Sequence, residues 1–314
     1  MAQVFFLGPA GTFTYDAARI HFPTLNDTQF APCSTPTDVI ANVQKEVEAY
    51  GVVPIENSVH GEVIPTLDAL LFEFSDIFII GEVSIPISFA FFCVSQMVKP
   101  NVAISHPHAL AQCKHFLAEN ELTQQTADST ADACRIVAEK NDPYLGAIAS
   151  LSAGAKFGLQ LYADQIEDFQ GARTRFLAIS NRFIPPTTLS KSMLAILPPS
   201  SSVGVLSKFT SAFAMRGINI FSIHSRPTKR GIGQYVFIIT AEGSITDGNT
   251  RNAIEMLLAD GYRLKVLGSY PLSDSKHPVA PFASMPGFLN REHFHDFLLT
   301  ISSPLRIATE ELSA

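Results

Sequence analysis

Two kinds of apolar spacing alternate along the first part of the chain. Short β-branched or aromatic runs predict strands at Val4–Leu7, Gly51–Ile55, Phe78–Val83, Ser88–Val94, Val102–Ser105, Gly146–Ala149 and Phe176–Ser180. Between them, apolar residues at helical spacing predict helices near Thr14–His21, Asp38–Glu46, Pro65–Phe74, His108–Glu119, Thr130–Lys140 and Ser150–Phe157. Alternation of this kind builds parallel sheets covered by helices. The strand pair across Ile77–Val94 and the stretch Asp164–Phe176 read as two crossings between halves. They divide residues 1–188 into a lobe of 1–80 with 170–188 and a second lobe of 81–168. Two crossings leave a cleft, where ligands usually sit.

After a polar connector containing prolines, Arg182–Ser190, the grammar changes. Strand Met193–Leu197, helix Gly204–Arg216, strand Ile218–Arg226, strand Gln234–Glu242, helix Asp247–Asp260 and strand Arg263–Pro271 follow in the order βαββαβ, the ferredoxin-like arrangement. Gly217 and Gly261 fit the ends of the two helices. This unit is expected to span 189–272, followed by a tail of 273–314 with one helix over Leu289–Leu299.

Composition agrees with this division. A chain of 314 residues is long enough for about two domains, each with its own core. With 46% apolar and 16% charged residues it is an ordinary globular protein, not a disordered one. A net charge of −7 makes the whole molecule a poor match for nucleic acid or an acidic membrane. The charge is unevenly placed: −10 over residues 1–189, +5 over 190–272 and −2 over 273–314, a sign change that marks units with different partners. Cys33, Cys93, Cys113 and Cys134 form no CxxC pair and read as small apolar residues in a reducing compartment. The start MAQVFFLGPAG lacks the basic, long apolar pattern of a signal peptide, and Glu82 and Pro86 interrupt the longest apolar stretch. A cytoplasmic protein without a membrane span is expected.

Five motifs carry candidate chemistry. GPAGTFTYDAA, Gly8 to Ala18, follows a strand and opens a helix capped by Thr12 or Thr14, either as a carboxylate or phosphate cradle or as a plain turn. It is neither GxGxxG nor a P-loop, so nicotinamide and ATP chemistry are poorly supported. VPIENSVHGEV, Val53 to Val63, places Glu56, Asn57, Ser58 and His60 at a strand end facing the cleft, or else only caps the next helix. His60 alone reads as a solvated loop residue. SHPHALAQC, Ser105 to Cys113, starts a helix at Pro107; His106 and His108 lack a third metal ligand at suitable spacing.

RTRFLAIS, Arg173 to Ser180, brackets Thr174 with two arginines, natural forks for a carboxylate, although Arg175 also fits a salt bridge inside the acidic lobes. The last motif pairs Gly204-Val205-Leu206-Ser207 with the segment from Gly217 to Phe237, where Ser225-Arg226-Pro227 ends a strand beside Lys229 and Arg230. It suits an amino acid's carboxylate, or a sheet that pairs without a ligand.

In this order the motifs resemble the prephenate dehydratase family with a C-terminal ACT regulatory domain, from about residue 3 to 271. The resemblance implies an α/β chain, with a two-lobed catalytic domain like a type II periplasmic binding protein, plus the βαββαβ ACT domain. It also implies that prephenate loses carbon dioxide and hydroxide together to give phenylpyruvate, with no cofactor and no metal. Thr174 in TRF maps to the donor for the leaving hydroxyl; Asn57, Ser105 and Gln112 map to substrate hydrogen-bonders. Arg175 takes the carboxylate or orientation role, Thr12 and Ser58 are secondary donors, and Phe176 completes the substrate set. Uncharged donors suit the site, since charges at the reacting carboxylate would stabilise the ground state.

For the L-phenylalanine effector the resemblance implies Gly204, Leu206, Asn219, His224, Ser225, Arg226 and Pro227, acting in a homodimer or homotetramer. Two positions depart from the family. Ala172 stands where an Asn usually precedes the TRF threonine, and His224 makes the usual ESRP motif HSRP. An imidazole there would make effector binding pH-dependent near neutrality. The alternatives are an arogenate dehydratase, a non-aromatising prephenate decarboxylase and a non-catalytic small-molecule sensor.

Overall fold

The computed structural model describes residues 2–46, 48–200 and 203–272; the helix expected over Leu289–Leu299 lies outside them. Strands Gln3–Leu7, Phe30–Cys33, Ala49–Asn57, Phe78–Pro86 and Arg173–Ser180 form the sheet of the first lobe. A second, five-stranded sheet holds Ala90–Cys93, Val102–Ser105, Thr123–Thr126, Leu145–Ala149 and Gln160–Ala163. In each sheet the strands of the βα units run parallel, but the crossing strands do not. Arg173–Ser180 is antiparallel to both Ala49–Asn57 and Phe78–Pro86, and Ala90–Cys93 is antiparallel to Leu145–Ala149. The all-parallel expectation therefore fails where the chain returns from the other lobe. The strand Phe78–Pro86 belongs to the first sheet throughout its length, so the outward crossing falls after Pro86, not at 80/81.

Local chemistry accounts for most helix starts. Thr12, Thr35, Ser129 and Ser150 each accept a backbone N–H at the head of a helix. Two expected helices are broken by tertiary contacts. His108–Glu119 is two short helices, Pro107–Leu110 and Lys114–Glu119. The Asp168 carboxylate from the return crossing takes the Lys114 and His115 N–H groups, at 2.9 and 3.0 Å, and restarts the helix. Pro65–Phe74 becomes Ile64–Asp68 followed by a wider turn over Ala69–Glu73, closed by Phe74 N–H on Ala69 C=O at 3.2 Å. The Lys265 ammonium binds carbonyls of that turn, including Leu70 at 2.6 Å. The short strands Phe30–Cys33, Thr123–Thr126 and Gln160–Ala163 carry too little apolar alternation to predict; Thr123–Thr126 is exposed along its whole length.

The third unit follows its sequence pattern closely. Its strands Ser190–Leu197, Ile220–Pro227, Tyr235–Glu242 and Arg263–Pro271 lie in the order Arg263–Pro271, Ser190–Leu197, Tyr235–Glu242, Ile220–Pro227, all antiparallel. Helices Val205–Ala214 and Gly248–Ala259 cover one face, with Phe209, Phe213, Ala253 and Leu257 buried against Leu194, Ile196 and Ile239. The other face joins the core of the first lobe, where Met193, Ile238, Leu267 and Tyr270 pack with Ile77, Ile79, Leu177 and Ile179.

At the seam Gly268 lies beside Ile79, and a Cβ on Gly268 would meet the Ile79 carbonyl oxygen at 2.3 Å and its nitrogen at 2.6 Å. The methyl of Gly268→Ala must push two backbones apart, an overpacking cost of about 1–3 kcal/mol. Calorimetry is expected to show a melting temperature lower by several degrees; an unchanged value would mean that the seam yields freely.

Candidate active site

The register of two strands builds the centre of the site. Arg173–Ser180 pairs with Ala49–Asn57 so that Thr174 stands opposite Asn57. Asn57 Nδ2 donates to Thr174 Oγ1 at 2.8 Å. The amide is held in that sense because Asn57 Oδ1 accepts the backbone N–H groups of Val59 (2.9 Å) and His60 (3.0 Å). Thr174 Oγ1 is thereby an acceptor, and its own O–H has no acceptor among the described residues. A threonine hydroxyl has a single proton to donate, so this one remains available to a ligand.

The same turn is fastened from behind. Ser58 N–H donates to the Arg173 carbonyl and Arg173 N–H to Ser58 Oγ, each at 2.9 Å. Arg173 in turn donates to Ser84 Oγ at 3.0 Å and to the Ser84 carbonyl at 2.7 Å. Ser58 and Arg173 therefore position the Thr174 strand. Thr12 caps its own helix and donates to the Leu7 carbonyl at 3.2 Å. Ser105 is fully buried, its hydroxyl committed to the Ile148 carbonyl at 2.6 Å.

Gln112 is 7% exposed; its Nε2 donates to the His108 carbonyl at 3.1 Å, which leaves Oε1 without a partner among the described residues. Rings of His60 and His108 meet edge to face at 5.5 Å, bringing the ENS turn of one lobe against the short helix Pro107–Leu110 that precedes Gln112 on the other. No group of three or more His, Cys, Asp or Glu among the described residues is arranged to hold a metal ion.

Two expected site residues lie elsewhere. Phe176 is 2% exposed, packed in the core with Val4, Phe6, Ala18 and Val52. Arg175 points to the sheet face opposite Thr174, as successive strand residues must. There its guanidinium pairs with Glu56 at 2.8 Å and faces Glu82 at 3.7 Å, while Glu82 binds the Lys191 ammonium of the third unit. The carboxylate ligand foreseen for Arg175 is thus the protein's own. Ala172 buries its methyl in the second lobe, and its carbonyl accepts Ile87 N–H at 2.7 Å.

The proposed effector residues divide in the same manner. Gly204, at φ +83°, and Leu206 line a cavity of about 340 Å³ with Pro198, Tyr235 and Phe237. His224 and Arg226, two apart on one strand, face the first lobe instead. His224 Nδ1 binds Glu62, and Arg226 donates to Asp68 at 2.6 and 3.2 Å, joined there by Lys229 at 2.9 Å. Burial alone would raise the Asp68 carboxyl, but the bonds from Lys229 and Arg226 hold it below the usual carboxylate range. That contact is therefore present above about pH 4 and lost as acid protonates Asp68. Asn219 immediately precedes the strand Ile220–Pro227, its carbonyl accepting Glu242 N–H at 2.8 Å; Ser225 and Pro227 alternate to the face away from His224.

Comparison with known proteins decides the family. A sequence model of the family described as prephenate dehydratase matches residues 4–183, and one described as ACT domain matches 201–258. The chain belongs to the prephenate dehydratase family. It is 38% identical over 273 residues to a bifunctional chorismate mutase/prephenate dehydratase of Aquifex aeolicus, covering 86% of this chain and 73% of that protein. With a prephenate dehydratase of Methanocaldococcus jannaschii it shares 33% over 274 residues, 85% of this chain and 97% of the other. A crystal structure of a prephenate dehydratase in complex with L-Phe from Arthrobacter aurescens superimposes with a TM-score of 0.77 at 31% identity, covering 96% of this chain and 99% of that one.

The activity is that of a carbon–oxygen lyase, the decarboxylating dehydration of prephenate, carried out by a two-lobed α/β catalytic domain with an ACT domain after it. The placement of Arg175 predicts a structural phenotype. Arg175→Ala leaves Glu82 buried with Lys191 as its remaining partner, at a cost of about 1–3 kcal/mol. Urea unfolding should register that loss.

Proposed function

We propose that Thr174 donates the proton to the departing hydroxyl of prephenate, and that Asn57 steadies the threonine oxygen as it does so. As the ring C–CO₂ bond breaks, its electron pair enters the ring and expels the ring hydroxyl, which takes a proton and leaves as water. The products are phenylpyruvate, carbon dioxide and water, with one proton consumed and no redox change. The observation that carries this reading is the 2.8 Å bond from Asn57 Nδ2 to Thr174 Oγ1, which occupies the hydroxyl oxygen as an acceptor and supports its proton as the donor to the charge developing on the leaving group. Threonine is a weak acid, so aromatisation supplies much of the driving force and the protein supplies alignment. Gln112, with a free Oε1, is placed as a further substrate contact; Ser105, Ser58 and Thr12 act through the backbone they hold. Thr174→Ala is expected to lower kcat by ~10²–10⁴ with folding intact, measured as phenylpyruvate formed from prephenate without added cofactor. Wild-type turnover in that variant would remove Thr174 from the mechanism.

Regulation is assigned to the ACT unit with L-phenylalanine as effector, supported by the cavity lined by Gly204 and Leu206 and by the L-Phe complex of the Arthrobacter relative. His224 and Arg226 are positioned to report effector binding to the catalytic lobe through Glu62 and Asp68. The strand Ile220–Pro227 is the outer edge of its sheet and exposes Phe221 (48%) and Ile223 (43%). An edge of that kind invites pairing with a second copy, giving a homodimer or homotetramer. Phe221→Lys is expected to shift the sedimenting mass toward monomer and to weaken inhibition by phenylalanine at least tenfold. The four free cysteines, three of them buried, fit the cytoplasm, and no helix among the described residues is long and apolar enough to cross a membrane.

A further inference from the structure

Three imidazoles stand together beside the Asn57–Thr174 pair. His60, in the turn after Asn57, meets His108 edge to face at 5.5 Å; His106 stacks on His108 at 5.3 Å with an interplanar angle of 18°. His60 and His108 are exposed and His106 is half-buried. The first ring belongs to one lobe and the other two to the opposite lobe. Each flank of the contact is tied to a site residue: His60 Nδ1 lies 3.4 Å from Asn57 Oδ1, and the His108 carbonyl accepts Gln112 Nε2 at 3.1 Å.

Groups able to neutralise these rings from neighbouring elements are committed or more distant. Glu62 binds His224, Glu56 binds Arg175 on the far face of the sheet, and Asp168 pairs with His115 at 3.1 Å. Asp128 acts on His106 from a distance and raises its pKa, but burial and His108 outweigh it and the net shift is downward. Among the described residues, none of the three rings has a carboxylate within ion-pair distance. A positive charge on two adjacent rings is self-repelling unless an anion shares it.

We propose that His60 and His108 are the carboxylate-binding jaw of the site, taking the side-chain carboxylate of the substrate between the two lobes. The inference rests on the prephenate reading and deepens it. Prephenate is a dianion, and the catalytic region it must enter carries a net charge of −10 over residues 1–189. With Arg175 held by Glu56 and Glu82, the imidazoles are the carboxylate-binding groups at hand beside Asn57. The neutral donors at Thr174 then face the reacting ring, while charge is confined to the side chain that does not react. This separation places binding energy away from the carboxylate that must leave.

Steady-state kinetics with prephenate test this. His60→Gln and His108→Gln are each expected to raise KM about tenfold, with the loss carried by KM rather than kcat. His60→Arg, a permanent cation at the same position, should keep a low KM. His115→Gln, whose partner is Asp168, serves as the control with wild-type kinetics. If the Gln variants keep the wild-type KM, or lose kcat at constant KM, the jaw is wrong while the dehydratase reading stands. A wild-type protein inert toward prephenate overturns both.

Discussion

Everything at the active site depends on the pleat of one strand. Arg173–Ser180 runs antiparallel between Ala49–Asn57 and Phe78–Pro86, and successive side chains must point to opposite faces. Thr174 therefore meets Asn57 on one face. Arg175, one residue on, meets Glu56 and Glu82 on the face shared with the ACT domain. A slip of one residue would exchange the two faces and break both sets of contacts at once. The hydrogen bonds between Ser58 and Arg173 and the anchoring of Arg173 on Ser84 prevent that slip at the end of the strand.

The charge asymmetry of the sequence has a structural destination. The acidic catalytic domain and the basic ACT domain meet at Lys191–Glu82, His224–Glu62, and Arg226 and Lys229 on Asp68. Exposed ion pairs contribute about 0–1 kcal/mol, so their number would mean little by itself. Lys191–Glu82 and Arg226–Asp68 sit largely out of water around a shared apolar core, where losing one partner is far more costly than the pair is stabilising. They make the seam specific: it forms in one register or leaves charges stranded. Because Glu82 also faces Arg175, and Glu62 is two residues past His60, the seam reaches both the back of strand Arg173–Ser180 and the turn that holds Asn57. An effector can shift catalysis only by favouring one of two arrangements of such contacts.

HSRP illustrates how one residue type changes a role. His224 forms a charge pair with Glu62 only while protonated, so the substitution that the sequence flags as an effector question is, in this arrangement, also an interdomain contact. His60 shows the converse. Read alone it is a solvated loop histidine; its meaning comes from His108 and His106, brought to it by the folding of the other lobe.

Local order was legible in the chain: the Thr12 cap, the βαββαβ succession, the ordered motifs that place Asn57 and Thr174 in one family, and the opposite charges of the two domains. These are properties of short windows, where spacing and side-chain chemistry act without help from distant residues. What lay beyond it were decisions taken between distant residues. The side of the sheet that receives Arg175, the burial of Phe176, the commitment of Ser105 to a backbone carbonyl and the break at Gln112 imposed by Asp168 each depend on a partner far away in the chain. Sequence determined which groups were present and in what local frame. Tertiary structure decided which of them kept a free proton or an open charge, because hydrogen-bond and ion-pair capacity is consumed by whatever neighbour the fold supplies.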